Sequence, residues 1–151
     1  MTNLASRVAP DVAPVVRAFV ERQRIPREAL RSDGRLVLTI DRRWRVHIVS
    51  APHHRVALQA ELMGLPDRGD RRLDDLLLRL ATAAAGLLQQ HASTLCIDRS
   101  RQALVLQQQL PADADPRRLR EALADFANAL AFWSRLCAGE SQTPQPVGAL
   151  A

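Results

Sequence analysis

The reading of the chain turns on Ser32–Ala51, SDGRLVLTIDRRWRVHIVSA. Leu36, Leu38 and Ile40 alternate with Val37 and Thr39, and Trp44, Val46 and Ile48 alternate with Arg45, His47 and Val49. A period of two sends successive side chains to opposite faces of a strand, so each run has one apolar face and one mixed face. The segment Asp41-Arg42-Arg43-Trp44 stands where a hairpin turns, and Arg31-Ser32-Asp33-Gly34 is a turn leading in. After the short connection Ala51-Pro52-His53-His54 the alternation resumes from Arg55 to Met63. Val56, Leu58, Ala60 and Leu62 fall on one side, with Ala57, Gln59 and Glu61 on the other. Short polar connections favour neighbouring antiparallel strands, so these three form a meander.

Helical periodicity flanks this sheet. Upstream, Asp11 is placed to cap a helix carrying Val12, Val15, Val16, Phe19 and Gln23 on one face, with Pro14 in its first turn and Pro26 ending it. Downstream, the loop from Gly64 to Asp70 precedes a central helix from about Arg72 to His91. Its core stripe is Leu73, Leu76, Leu77, Leu80, Ala84, Leu87, Leu88 and His91. Leu78, Ala81 and Ala85 widen the apolar surface beyond what one sheet covers, and Thr82 to Gly86 is small nearly all round, which permits close backbone approach. A second copy of the chain in a two-fold dimer is the simplest cover. Two further strands, Thr94 to Asp98 and Ala103 to Leu110, are joined by Arg99-Ser100-Arg101-Gln102. The last helix starts at Asp115 as cap and Pro116 as first residue, with a stripe of Leu119, Ala122, Leu123, Phe126, Leu130, Trp133 and Cys137. The expectation is an α+β domain over residues 1–137: helix, three strands, helix, two strands, helix, with an antiparallel twisted sheet packed by helices. Residues 138–151, rich in Gly, Ser, Pro and Gln, are expected to be a flexible tail.

Composition narrows the class. At 151 residues with 47% hydrophobic and 25% charged residues, the chain is long enough for its own core and too apolar for global disorder. No apolar run approaches the roughly 18 residues of a membrane span, and the first residues lack a secretory signal pattern, so a cytosolic protein is expected. Cys96 and Cys137 follow no CxxC spacing and are taken as small buried hydrophobes. All 21 basic residues are Arg, and the net charge of +5 favours nucleic acid, acidic proteins and anionic surfaces alike.

Catalytic chemistry is hard to find. His53 and His54 are adjacent in a turn, and His47 and His91 stand apart, which is not the spacing of a metal site. The glycines of Gly64-Leu65-Pro66-Asp67-Arg68-Gly69 resemble a phosphate loop, but Asp70 and Arg71 follow where Lys and Ser or Thr belong. The run Asp67, Asp70, Asp74, Asp75 has the look of a Mg²⁺ or acid/base cluster, but Asp70 to Asp75 more simply decorate the positive end of the central helix, and no glycine elbow surrounds a serine. Neither an enzyme nor a cofactor is indicated. The stretch Arg42, Arg43, Trp44, Arg45 leaves an alternative, an Arg-rich nucleic-acid-binding module, for which the few aromatics make a thin stacking surface.

The pattern as a whole resembles a known family. Asp33-Gly34 leads into Leu36-x-Leu38-x-Ile40-Asp41, the Leu-rich helix of Leu73 to Leu88 follows, Leu95-x-Ile97-Asp98 precedes Leu104-x-Leu106 and Leu110-Pro111, and Leu119, Leu123, Phe126 and Trp133 close the chain. From about Val12 to Leu136 this looks like the class I chaperones of type III secretion, the Tir chaperone family. The resemblance implies a homodimer in the cytoplasm of a Gram-negative bacterium. Such a dimer binds the N-terminal segment of a secreted effector in extended form and delivers it to the secretion apparatus, whose ATPase is a further partner; membrane and nucleic acid are not. It also implies an effector-binding edge at Leu36, Val37, Leu38, Thr39 and Ile40, with Arg45, His47 and Val49 on the neighbouring strand and Val16 and Phe19 contributing if they are not wholly buried. Leu78, Ala81, Ala85 and Cys96 are the dimer-interface candidates. Members of the family are commonly acidic, whereas this chain has a pI near 11.0.

Overall fold

In the computed structural model, which describes residues 12–87, 90 and 92–139, the alternating stretch is a hairpin. Strands β1 (Leu36–Ile40) and β2 (Trp44–Ala51) pair antiparallel, with Val37 opposite His47 and Thr39 opposite Arg45. Asp41 and Arg42 take positive φ, 53° and 55°, in the connecting turn, the left-handed backbone that matches the twist of a tight hairpin. β3 (Arg55–Gly64) follows after a turn in which His53 and His54 are also left-handed. The later hairpin of β4 (Thr94–Asp98) and β5 (Ala103–Pro111) joins the sheet through β5, giving the order β1-β2-β3-β5-β4. All pairings are antiparallel. Near the end of β3 the pairing slips between Glu61 and Met63, leaving Leu62 as a bulge, so the core-facing side passes from Ala60 to Met63.

Two helices cover one face of the sheet. α1 (Pro14–Arg22) buries Val15, Val16 and Phe19, and its first turn is tied down by the Val15 amide donating to the Ala112 carbonyl at 3.0 Å. Its N-cap is Ala13, without a side-chain cap, so the helix begins later than a cap at Asp11 implies; Asp11 itself lies outside the described residues. Pro14 is the reason, since its fixed φ suits the first helical position. α3 (Pro116–Cys137) starts as expected, with the Asp115 carboxylate accepting from the Arg117 amide at 2.8 Å. It lays Leu119, Leu123, Phe126, Leu130 and Trp133 on Leu36, Val46, Ile48, Val56, Leu58, Leu106 and Leu110 of the sheet, a single core. Each such side chain removed from water contributes roughly 1.5–3 kcal/mol before the entropy of ordering the chain is set against it.

The central helix α2 (Arg71–Leu87) is attached differently. Asp70 caps it, accepting from the Arg72 amide at 2.9 Å and pairing with the Arg72 guanidinium at 3.0 Å. Only Leu76 and Leu80 are fully buried. Leu73, Leu77, Ala84 and Leu87 are half-covered, so the stripe expected to be a core face is largely unfilled within one chain; Leu88 and His91 lie outside the described residues.

Candidate binding surface

β1 is an edge strand, and among the described residues only one element touches its outer side. The segment after a single 3-10 turn, Arg27–Ala29, bridges Leu30 to Leu36, and the Arg31 amide donates to the Arg35 carbonyl at 2.8 Å. From Val37 to Ile40 no described residue pairs with the outer edge, so alternate backbone N–H and C=O groups there are available to another strand.

The side chains of this edge divide by face. Leu36 is wholly buried, and Leu38 and Ile40 pack against the core. Val37 and Thr39 lie on the face without helices, with Arg45, His47 and Val49 beside them on β2. Val16 and Phe19, offered on condition of exposure, are core residues at 3% and 5% exposure, because the face of α1 that carries them is the one turned to α3 and the sheet. Leu36 likewise contributes backbone and no surface side chain.

The helix-free face is hollowed into a cleft of about 680 Å³. Arg35, Arg45 and His47 line it from the β1–β2 side, Gln59 and Glu61 from β3, and Gln107 and Arg101 from β5 and its turn. Gln59 and Gln107 bond across the sheet at 3.4 Å. The His47 imidazole is held below its ordinary pKa, first by burial and then by Arg35, Arg101, Arg45 and Arg31, and its Nδ1 is shut from solvent without a hydrogen-bond partner. At the rim, Arg43 lies over the Trp44 ring at 5.0 Å, while the Trp44 indole donates to the Ser134 hydroxyl at 3.3 Å and so pins the hairpin to α3. On its far side the cleft is closed by β4, where Ile97 is 50% exposed and Cys96 half-buried, and on α2 Leu78 is 69% exposed, with Ala81 and Ala85 also exposed. Among the described residues no group of three His, Cys, Asp or Glu could hold a metal, and no helix is long and apolar enough to cross a membrane.

The profile of the Tir chaperone protein (CesT) family matches residues 15–134, from α1 to the end of α3. The chain belongs to this family. Solved structures similar to this Tir chaperone family member include a chain of the HopA1-SchA chaperone-effector complex, 16% identical, with a TM-score of 0.57 over 78% of this chain and 88% of the other. A chain of the ExsC-ExsE complex is 19% identical, with a TM-score of 0.62 over 86% and 96%. A chain of the Yersinia pestis type III secretion chaperone SycH in complex with a stable fragment of YscM2 is 17% identical, with a TM-score of 0.54 over 81% and 98%. At these identities the likeness speaks for the fold. A comparison of the sequence with curated proteins finds no match.

Sequence reasoning brought Val37, Thr39, Arg45, His47 and Val49 to one face, since alternation alone assigns faces. It missed the contribution of Gln59, Arg101 and Gln107, which meet His47 only once the sheet order is known. It also missed Ile97, whose partner positions at the sheet edge no local pattern reveals.

Proposed function

We propose that this family member acts by binding alone, as a chaperone that holds the N-terminal segment of a secreted effector extended along β1 and delivers it to the type III secretion apparatus. The observation that carries the reading is the open stretch Val37–Ile40 of β1, an edge that soluble proteins ordinarily cover or blunt and that peptide-binding proteins use to add a strand. Membership of the Tir chaperone family and a fold shared with chains from complexes such as HopA1-SchA support it.

The working unit is a homodimer in the cytoplasm. Leu78 stands exposed on α2 next to its half-covered stripe, Ile97 stands exposed on the edge strand β4, and Ala81 and Ala85 allow a second helix to approach closely, so a partner surface is the natural cover. A stable pair buries about 1,600 Å² in total. The secretion ATPase would meet the loaded dimer.

Co-expression with the effector encoded beside it tests the whole reading. The expected product is a complex of one effector segment with two copies of this chain. A strictly monomeric protein that retains no effector would overturn it.

A further inference from the structure

Resting on that reading of β1, we infer that the helix-free face selects acidic clients. An Asp or Glu of the added strand, turned away from the helices, is held over Thr39 by Arg45, and Arg35, four residues back along the chain, adds to the positive field of the same face. The geometry makes this reach natural. Strands stand about 4.8 Å apart, so a client strand beside β1 lies about 10 Å from β2, within the combined span of an arginine and a glutamate. The position between them belongs to Thr39, directly opposite Arg45, which is small and exposed.

Charge bookkeeping in the cleft favours the same occupant. Arg35, Arg43, Arg45 and Arg101 line it against Glu61 and Asp98. Asp98 is already engaged: its carboxylate accepts from the Ser100 hydroxyl at 2.6 Å and lies 3.4 Å from Arg101. Arg35 meets Asp33 only at 3.9 Å, and Arg45 has no ion pair among the described residues. The cleft therefore carries unmatched guanidinium charge, and planar guanidinium groups suit carboxylates as two-pronged donors. The depressed basicity of His47, caused after burial by Arg35, Arg101, Arg45 and Arg31, reports that positive field from both ends of the cleft. Glu61, which also faces it, does not cancel the field. A net charge of +5 on the whole chain acts in the same direction at long range.

The test uses two synthetic peptides of equal length, one alternating valine with glutamate and the other valine with glutamine, against the full chain and Arg45→Gln. At 50 mM salt, fluorescence anisotropy is expected to show the glutamate peptide binding about fivefold more tightly, as one or two partly exposed charge pairs provide. Arg45→Gln should remove most of that gap, weakening the glutamate peptide more than the glutamine peptide. In NMR titrations the His47 imidazole should become more basic on binding the glutamate peptide and not the glutamine peptide, a response that a merely structural Arg45 would not produce. Equal affinities, no binding of either peptide, or a gap that survives Arg45→Gln would overturn the inference. So would an oligothymidylate of matching length that binds more tightly than the glutamate peptide and loses that advantage in Arg45→Gln, which would give the cleft to nucleic-acid phosphates. None of these outcomes touches the chaperone reading, which stands or falls on the co-expressed effector.

Discussion

α2 and α3 are written in nearly the same alphabet, Leu, Ala and Arg at helical spacing, and they end in different situations. α3 finds a complete partner in its own sheet and buries Leu119, Ala122, Leu123, Phe126, Ala129, Leu130 and Trp133. α2 buries only Leu76 and Leu80, is joined to α3 at its far end by Arg79 reaching the Leu136 carbonyl at 3.5 Å, and leaves Leu78 in water. Amphipathic periodicity states that a helix has an apolar face; it does not state whose surface covers it. The buried core is concentrated in the α3 layer, whereas α2 and β4 keep exposed apolar side chains and the β1 edge keeps backbone that no described residue pairs.

That contrast has graded consequences. Phe126→Ala, which empties the centre of the α3 layer, should cost about 3–5 kcal/mol in urea denaturation, enough to unfold a marginal domain. Leu78→Glu should leave the fold of each chain intact by circular dichroism while light scattering finds monomers, with a melting temperature that no longer rises with protein concentration. An equal loss of fold in both variants would show that α2 belongs to the same core as α3. Asp115→Ala removes the side-chain cap of α3 and should cost about 1 kcal/mol.

The smallest effect concerns His47. Its folded-state pKa lies below the ordinary 6.5, so the unfolded chain binds the proton more readily. Stability should therefore be full above pH about 6.5 and decline as the pH falls toward the depressed folded value. His47→Gln should flatten that decline in pH-dependent thermal melts; an unchanged profile would mean that neither burial nor the surrounding arginines lower the basicity of this residue.

The strands were legible because alternation at Leu36–Ile40, Val46–Ile48 and Val56–Ala60 coincides with real faces, and turn residues bound each run. The start of α3 was legible because Asp115 and Pro116 carry cap geometry in their own side chains. What escaped depends on non-local placement. The bulge at Leu62 exists because β3 must match β5, and β4 sits outside β5 although it precedes it in sequence. Val16 and Phe19 were ambiguous for the same reason: a helix face is apolar whether it meets its own sheet or a visitor. The cleft draws Gln59 and Gln107 together from 48 residues apart, a distance over which one sequence holds no pairing signal.

The central claim is that a client strand adds to β1. Amide hydrogen exchange on the dimer alone and on the co-expressed effector complex tests it most directly. The outward-facing amides between Val37 and Ile40 should exchange freely without the effector and become protected in the complex, while those of β4 change little on effector binding. Protection elsewhere with β1 still exchanging freely would contradict the account.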